Sequence, residues 1–560
     1  MSAFEFKPKL FASLKQYNKK TFISDLMAGV IVGIVALPLA IAFGIASGVS
    51  PETGITTAIV AGFIISLLGG SKVQIGGPTG AFIVIVYGII QQYGQQGLIV
   101  ATLMAGVLLI LLGVLKLGTI IKYIPYPIIV GFTSGIAVTI FTTQIKDLFG
   151  LQIEKVPADF IQKWGVYATH LSSVDIYSTL IGLASIAIIA ITPKFSKKIP
   201  GSLIAIILMT IVAYLLKEYA DITSIETIGD RFTIKPELPD AQIPPMSWEI
   251  VKGLLPAAVT IAVLGAIESL LSATVADGVI GDKHNSNQEL IAQGAANLIT
   301  PLFGGIPATG AIARTMTNIN NGGRTPVAGL IHAGVLLLIL LCLGSLTSLI
   351  PMACLAGVLV IVSYNMSEWR TFKALLKNPK SDITVLLITF FLTVIFDLTV
   401  AIEVGLVIAC LLFMRRVAET TDIQVLTDEI DPSQGSDSEL HEEPLLVPKN
   451  VEVYEINGPY FFGIANRFEE TMISIGKRPK VRIIRMRKVP FIDSTGLHNL
   501  TNLCKTSQKE NIITILSGVN EKVYDVLQKN SFNELLGKDN ICENIYIALE
   551  RAQKILDGAK

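Results

Sequence analysis

Charge is what this sequence has least of. Asp, Glu, Lys and Arg make up 16% of its 560 residues, against roughly 25% in soluble domains, and the mean hydropathy is +0.61. An ordinary soluble fold is excluded. Neither sign is in surplus, since 44 basic residues balance 44 acidic ones. That removes the electrostatic footprint of a nucleic-acid binder. Cysteine is scarce: Cys342, Cys354, Cys410, Cys504 and Cys542 are scattered without metal-ligand spacing. They read as small apolar side chains and free thiols. No cleavable leader is expected, because the basic, amphipathic opening MSAFEFKPKLFASLKQYNKK runs straight into the first apolar stretch.

What the sequence has instead is a succession of apolar runs between about residues 26 and 414, each near the ~20 residues that span a bilayer as helix. Leu26–Gly48, Leu98–Leu115, Ile176–Ile191, Gly329–Leu343 and Ile383–Phe396 are examples. The reading is a polytopic α-helical membrane protein with about fourteen segments, two of them short. The basic breaks test that number. Lys7, Lys9, Lys15, Lys19 and Lys20, then Lys116 and Lys122, KFSKK (194–198), RTFKALLKNPK (370–380), and Arg415 with Arg416 all fall on the N-terminal side. The positive-inside rule makes that side cytoplasmic. Asp397 and Glu403 flank a late turn and are read as capping or interfacial residues.

After the last span comes a polar, acidic stretch, TDEIDPSQGSDSELHEEP (427–444), whose like charge reads as a mobile linker. The tail changes character. VEVYEI, KVRIIRM (480–486) and NIITILSG (511–518) read as strands, and STGLHNLTNLCKTSQKE and NEKVYDVLQKN as helices. The expected organisation is a cytoplasmic N-terminal segment (1–24), a transmembrane domain (25–420), a linker (421–447) and a cytoplasmic α/β domain (448–560).

An internal repeat locates a candidate site. FIISLLGGSKVQIGGPTGAF (63–82) and NLITPLFGGIPATGAIA (297–313) each carry an apolar run, a Gly-Gly, a small-residue break and Thr-Gly-Ala. The copies lie about 230 residues and seven spans apart, and an odd number of spans gives them opposite orientations. Paired, Gly/Pro-interrupted segments in inverted halves point to the binding site of a secondary transporter. A helix that starts inside the membrane leaves its first N–H groups unpaired, and with the helix dipole they favour an anion. The backbone at Thr79, Gly80 and Ala81, and at Thr309, Gly310 and Ala311, is the expected anion cradle, with Pro78 and Pro307 at the helix starts. Arg314 stands about one turn further; it adds positive potential to the site or snorkels to the interface. Glu268 is the one acid in the middle of an apolar helix (254–277), with Ser272 one turn on. It carries a proton, forms a fixed pair with Arg314, or binds sodium.

These blocks resemble the sulfate permease (SulP) family of anion transporters, to which the animal prestin-type proteins belong. DLMAGVIVGIVALPLAIAFGIASG (25–48), GGPTGAF, GGIPATGAIARTMTNINNGGRTPVAG and DLTVAIEVGL (397–406) carry the resemblance. VPFIDSTGLHNL (489–500) is similar to the signature of the STAS domain, named for sulfate transporters and anti-sigma factor antagonists. The resemblance implies a seven-plus-seven inverted repeat, with a core (segments 1–4 and 8–11) moving like an elevator against a gate (5–7 and 12–14). It also implies a homodimer in a cell membrane, a bacterial inner membrane for this kind of chain. Phe43 matches an aromatic that borders the substrate, while Leu39 stands where many members have glutamine. Glu268 matches a proton-linked acid of bacterial members. Sodium-dependent bicarbonate members have aspartate there and lack the arginine at 314, so this chain departs from them. In anti-sigma antagonists a serine in the DSTG loop is phosphorylated, which makes Ser494 a regulatory candidate and the STAS domain a candidate for a cytoplasmic partner. The plain alternative is that the loop caps a helix.

The expected function is proton-coupled symport of a small anion (sulfate, bicarbonate or dicarboxylate). The alternatives are an exchanger or uniporter, a sodium-coupled bicarbonate symporter and, in another class, a membrane-anchored STAS regulator. No enzyme activity, metal or organic cofactor is implied; the co-transported ion is a proton, with sodium second.

Overall fold

A bilayer core offers the backbone no water, so an apolar chain of this length closes its N–H and C=O groups in helices. The computed structural model describes residues 6–558 except 16, 120–124, 155, 158, 196–199, 234–236, 238, 242–247, 397, 427–428, 431–444 and 463–478. The chain divides into two compact units, Met1–Ala409 and Cys410–Lys560.

The first unit begins with a short helix, α1 (Lys9–Leu14), followed by α2 (Lys19–Ala46), α3 (Pro51–Leu68) and a two-residue strand, β1 (Gly76–Gly77). A 3-10 turn (Gly80–Phe82) then leads into α4 (Ile83–Val114). Next come α5 (Tyr126–Leu148), α6 (Phe160–Thr169), α7 (Ile176–Phe195), α8 (Gly201–Ala220), α9 (Ile228–Arg231), α10 (Trp248–Ile280) and α11 (Ser286–Ile299). The second short strand, β2 (Thr309–Gly310), precedes α12 (Ile312–Asn320), α13 (Val327–Thr347), α14 (Met352–Met366), α15 (Trp369–Leu375) and α16 (Lys380–Ile395). α17 (Leu398–Thr420) crosses the boundary between the units. Asp397 and the side chain of Glu403 lie outside the described residues.

Among the described residues nine helices are long and apolar enough to cross a membrane. One of them, α4, is two segments joined at Gly94, where φ is +67°. Counting its halves separately and adding α11, α12, α16 and α17 gives the fourteen segments. They pack in two groups. α4 lies against α10 and α11, and α13 against α2 and α3, with α12 on α10 and α2. α5 lies against α14 and α16, and α7 against α8 and α14. The first group joins the first four segments of each half, and the second group comes from the remainder of each half. This is the core and gate arrangement of an inverted repeat.

Small residues set the close approaches, as expected where lipid supplies no hydrophobic drive between helices. A Cβ on Gly106 would stand 2.8 Å from the Gly294 carbonyl oxygen, and one on Gly294 would stand 2.6 Å from that of Gly106. The backbones of α4 and α11 therefore touch. Two buried carboxylates tie loops across the halves. Asp25 on α2 accepts from the Arg324 and Thr325 N–H groups at 2.9 and 3.2 Å, just ahead of α13. Glu289 on α11 accepts from the Gly70 and Ser71 N–H groups at 2.8 and 3.0 Å, just after α3. Each shields backbone donors that the membrane interior cannot satisfy.

In the second unit β3 (Asp422–Leu426) and the pair β4 (Glu429–Ile430) and β5 (Leu445–Leu446) precede β6 (Val451–Asn457) and β7 (Val481–Lys488). α18 (Ser494–Lys509), β8 (Ile513–Ser517), α19 (Glu521–Lys529), α20 (Phe532–Leu536), β9 (Ile541–Cys542) and α21 (Ile545–Gly558) complete it. The main sheet has the order β3-β6-β7-β8-β9, with β3 antiparallel to β6 and the rest parallel. The expected strands and helices of the tail correspond to β6, β7, β8, α18 and α19. The start of the linker does not stay a linker. Residues 422–426 pair with Leu426 against Val453 and Ile423 against Ile456, because an apolar position at every second residue suits an edge strand. Residues 427–428 and 431–444 of the acidic stretch lie outside the described residues.

Candidate functional site

The two breaks of the repeat meet in the middle of the first unit. β1 and β2 pair antiparallel, Gly76 against Gly310 and Gly77 against Thr309. The Ala311 N–H extends the ladder to the Ile75 carbonyl at 2.9 Å. Antiparallel pairing sends the two following helices away in opposite directions, with both N-terminal ends left in the centre. Irregular chain at this depth is tolerated because side chains close it. Asn297 accepts from the Ala308 N–H and donates to the Ala308 carbonyl, at 2.9 and 2.8 Å. Thr57 accepts from the Ile306 N–H at 2.9 Å.

Gly77 is required twice over. Its φ is +152°, and a Cβ there would stand 2.2 Å from Arg314 Nη1. The guanidinium fills that space. Arg314 is 2% exposed, its Nη2 donates to the Pro78 carbonyl at 2.9 Å, and its Nη1 has no partner among the described residues. It has not snorkelled to the interface; it bridges from the second break to the first.

The helix starts differ from the sequence expectation in the second copy. Thr79, Gly80 and Ala81 do open a helical turn. Thr309 and Gly310 instead belong to β2, Ala311 is the N-cap, and α12 begins at Ile312. Pairing with β1 holds these residues extended, so the first-turn N–H groups without a partner among the described residues are those of Ile312, Ala313 and Arg314. Pro307 likewise lies in the extended approach, ahead of the helix.

A cavity of about 440 Å³ opens in front of these ends. Phe43, Thr79, Gly80, Gly310, Ala311, Arg314 and Glu268 line it, as does Leu39. The Glu268 carboxylate accepts from the Thr79 hydroxyl at 2.8 Å. Among the described residues it has no ion pair with Arg314, so the fixed-pair reading has no counterpart in the structure. Three expected residues stand behind the wall. Ala81 is fully buried in the turn. Thr309 donates to the Gly265 carbonyl at 2.9 Å. Ser272 lies 3.4 Å from the Thr315 hydroxyl, which itself accepts from the Ile75 N–H. It stands beside the break, one step away from the carboxylate.

The opposite wall was missed. Ile128, Ile129, Phe132 and Thr133 of α5, with Val362, Asn365 and Met366 of α14 and Glu368 after it, close the cavity from the gate side. The signal was faint: one amide in the apolar run VLVIVSYNM. In the second unit Asp493, and not Ser494, caps α18; its carboxylate accepts from the Gly496 N–H at 2.7 Å and the Phe462 N–H at 3.1 Å. Ser494 is exposed at the first helical position.

The fold and the paired, membrane-embedded breaks define an inverted-repeat helical transporter with an appended α/β domain. The model of the sulfate permease family matches residues 22–389, and that of the STAS domain matches 445–549. A putative sulfate transporter of Bacillus subtilis, YvdB, is 41% identical over 532 residues, covering 95% of this chain and 98% of that one. The bicarbonate transporter BicA of Picosynechococcus is 32% identical over 494 residues, covering 85% of each. The solved structure of SLC26A9 superposes with a TM-score of 0.86 over 98% of this chain and 93% of the other at 18% identity, a likeness of fold. The chain belongs to the sulfate permease family: it is an anion transporter with a C-terminal STAS domain, and not an enzyme.

Proposed function

We propose that this chain carries a small oxyanion or carboxylate, of the sulfate, bicarbonate or dicarboxylate class, together with a proton, by displacement of the core group against the gate. The observation that carries the reading is the joint placement of Arg314, two helix N-terminal ends and Glu268 around one cavity. Positive potential from the backbone and the guanidinium attracts the anion. A carboxylate held by a single hydroxyl at membrane depth is a proton acceptor whose charge depends on whether an anion is present. The relatives named as sulfate and bicarbonate transporters support the substrate class. The seam between core and gate, lined on both sides by the cavity, is the natural sliding surface of an elevator.

The test is a liposome assay with a trapped pH dye and a panel of sulfate, bicarbonate, fumarate, succinate and chloride. One anion is expected to acidify the lumen with wild type and not with Glu268→Gln. Anion flux without proton movement would replace symport by exchange or uniport, and sodium dependence would transfer the role of Glu268 to that ion. The basic breaks support a cell-membrane location with both termini cytoplasmic, checked by labelling of introduced terminal tags in intact cells. A homodimer is expected from the family; cross-linking in native membranes tests it. Deletion of 448–560 with transport and folding intact, and no other phenotype, would remove the case for a regulatory STAS partner.

A further inference from the structure

The core–gate seam holds a second chamber beyond the substrate cavity. α5 gives Phe132 and Thr133 to the first and Thr143, Gln144 and Lys146 to the second; α14 gives Val362 and Asn365 to the first, and Leu355 and Leu359 to the second. Between the two linings on α5 stand Ile136 and Ile140, both fully buried. The two chambers therefore lie in line along one seam, with an apolar plug between them. The second has a volume of about 130 Å³, enough for several waters or one small oxyanion.

Its charges are unequally committed. Arg231 is taken: Nη2 donates to Asp147 at 2.9 Å and to Glu226. Lys163 is not. It sits on α6, lines the chamber, is 2% exposed, and makes no side-chain hydrogen bond or ion pair among the described residues. Its Nζ lies 5.8 Å from the centroid of the Tyr87 ring, and the Asp159 carboxylate one turn back acts on it electrostatically. The Tyr87 hydroxyl donates to the Val156 carbonyl at 3.1 Å, which pins the segment ahead of α6 onto the start of α4. One turn after Lys163, the Tyr167 hydroxyl is buried without a partner among the described residues.

Lysine on an amphipathic surface helix ordinarily snorkels its ammonium into water. Here it points inward, and a buried cation without a direct ion pair is costly. Burial pulls the Lys163 ammonium down to about 8, so it remains largely charged at neutral pH. A chamber on the transport seam with a cation in its wall that forms no ion pair among the described residues has the chemistry of an anion site.

We propose that this chamber is a second anion site, in which Lys163 receives the transported anion on the face opposite the N-terminus before the core moves. The inference rests on the anion-transport reading above. In oriented vesicles, Lys163→Gln is expected to raise the outer-face KM for sulfate, or for bicarbonate if that is the anion carried, about tenfold, the loss of one charge-assisted bond. Inner-face kcat/KM falls in the same proportion, as microscopic reversibility requires, and Lys163→Arg restores the outer KM. An unchanged outer KM, or no recovery of it in Lys163→Arg, overturns the site.

If wild type carries no anion, the transport reading fails separately, and binding decides the chamber. Trp164 adjoins Lys163 and is one of three tryptophans. In a Trp248→Phe, Trp369→Phe background, iodide quenching of Trp164 is expected to fall roughly twofold on Lys163→Gln, through the lost local potential. Equal quenching in both proteins overturns the proposal.

Discussion

At the first break the chain leaves β1 through Pro78, turns at Thr79–Gly80–Ala81 and continues into a long helix bent at Gly94. At the second, the same Thr-Gly-Ala is mostly strand, and only nine residues of helix follow. The first copy brings no charge to the cavity, whereas Arg314 follows the second and lines it. Yet both threonines address α10, one turn apart: Thr79 donates to the Glu268 carboxylate and Thr309 to the Gly265 carbonyl. The comparison teaches that duplication supplied the broken backbone, while the two copies divided the labour of charge and support. The first presents a hydroxyl to the Glu268 carboxylate. The second supplies the cation and anchors the ladder.

That division gives unequal expectations for equivalent changes. The largest effect is expected at Arg314, where Arg314→Met removes the cation and leaves the Pro78 carbonyl unpaired. A loss of about 2–3 kcal/mol, or roughly 30–160-fold in kcat/KM for the anion, is expected from uptake assays. Next comes the glycine pair. Gly77→Ala meets both a positive φ and the guanidinium, and about 2–3 kcal/mol of stability should go, read as a fall in the melting temperature. Gly310→Ala meets the flexible end of Gln74, and about 1 kcal/mol is expected. Equal losses at the two would undo the asymmetry.

Smaller again are the threonines. Thr79→Val is expected to shift the pH profile of uptake and cost about fivefold in rate, one hydrogen bond's worth. Thr309→Val should lower stability by about 1 kcal/mol and leave the pH profile where it was. Interchanged phenotypes would reverse the assignment of roles. In the second unit, Asp493→Ala should cost about 1 kcal/mol as a lost N-cap, measured by denaturant unfolding. Ser494→Ala, an exposed change, should stay within about 0.5 kcal/mol; a loss of transport with stability kept would reopen the regulatory reading.

The spans, their number, the inverted repeat, and Arg314 and Glu268 as the odd charges were readable from residue order, because an apolar medium penalises every departure from helix and every ion. The strands of the tail were readable because apolar positions alternate or cluster there. Three features were not. The repeat aligned Thr309–Gly310–Ala311 with Thr79–Gly80–Ala81, but which of these residues pair and which turn depends on the register of β1 against β2. The gate wall, with Thr133 and Asn365, looked like ordinary span sequence, since a small polar side chain in a helix carries no sign of which neighbour it faces. Residues 422–426 looked like linker because an edge strand draws its partner from a segment some thirty positions on.

By itself the sequence determined the medium, the approximate number of crossings and the places where the backbone must break, since each follows from local composition and the cost of unpaired groups in hydrocarbon. Only the tertiary structure decided what the breaks do. It set Arg314 on the Pro78 carbonyl instead of on Glu268, gave Glu268 the Thr79 hydroxyl, placed Ser272 behind the wall and turned Lys163 inward. Each of these contacts joins residues that lie far apart in the chain or on faces that periodicity leaves undetermined. Side-chain reach and helix rotation settle them, and both are fixed only when the helices pack.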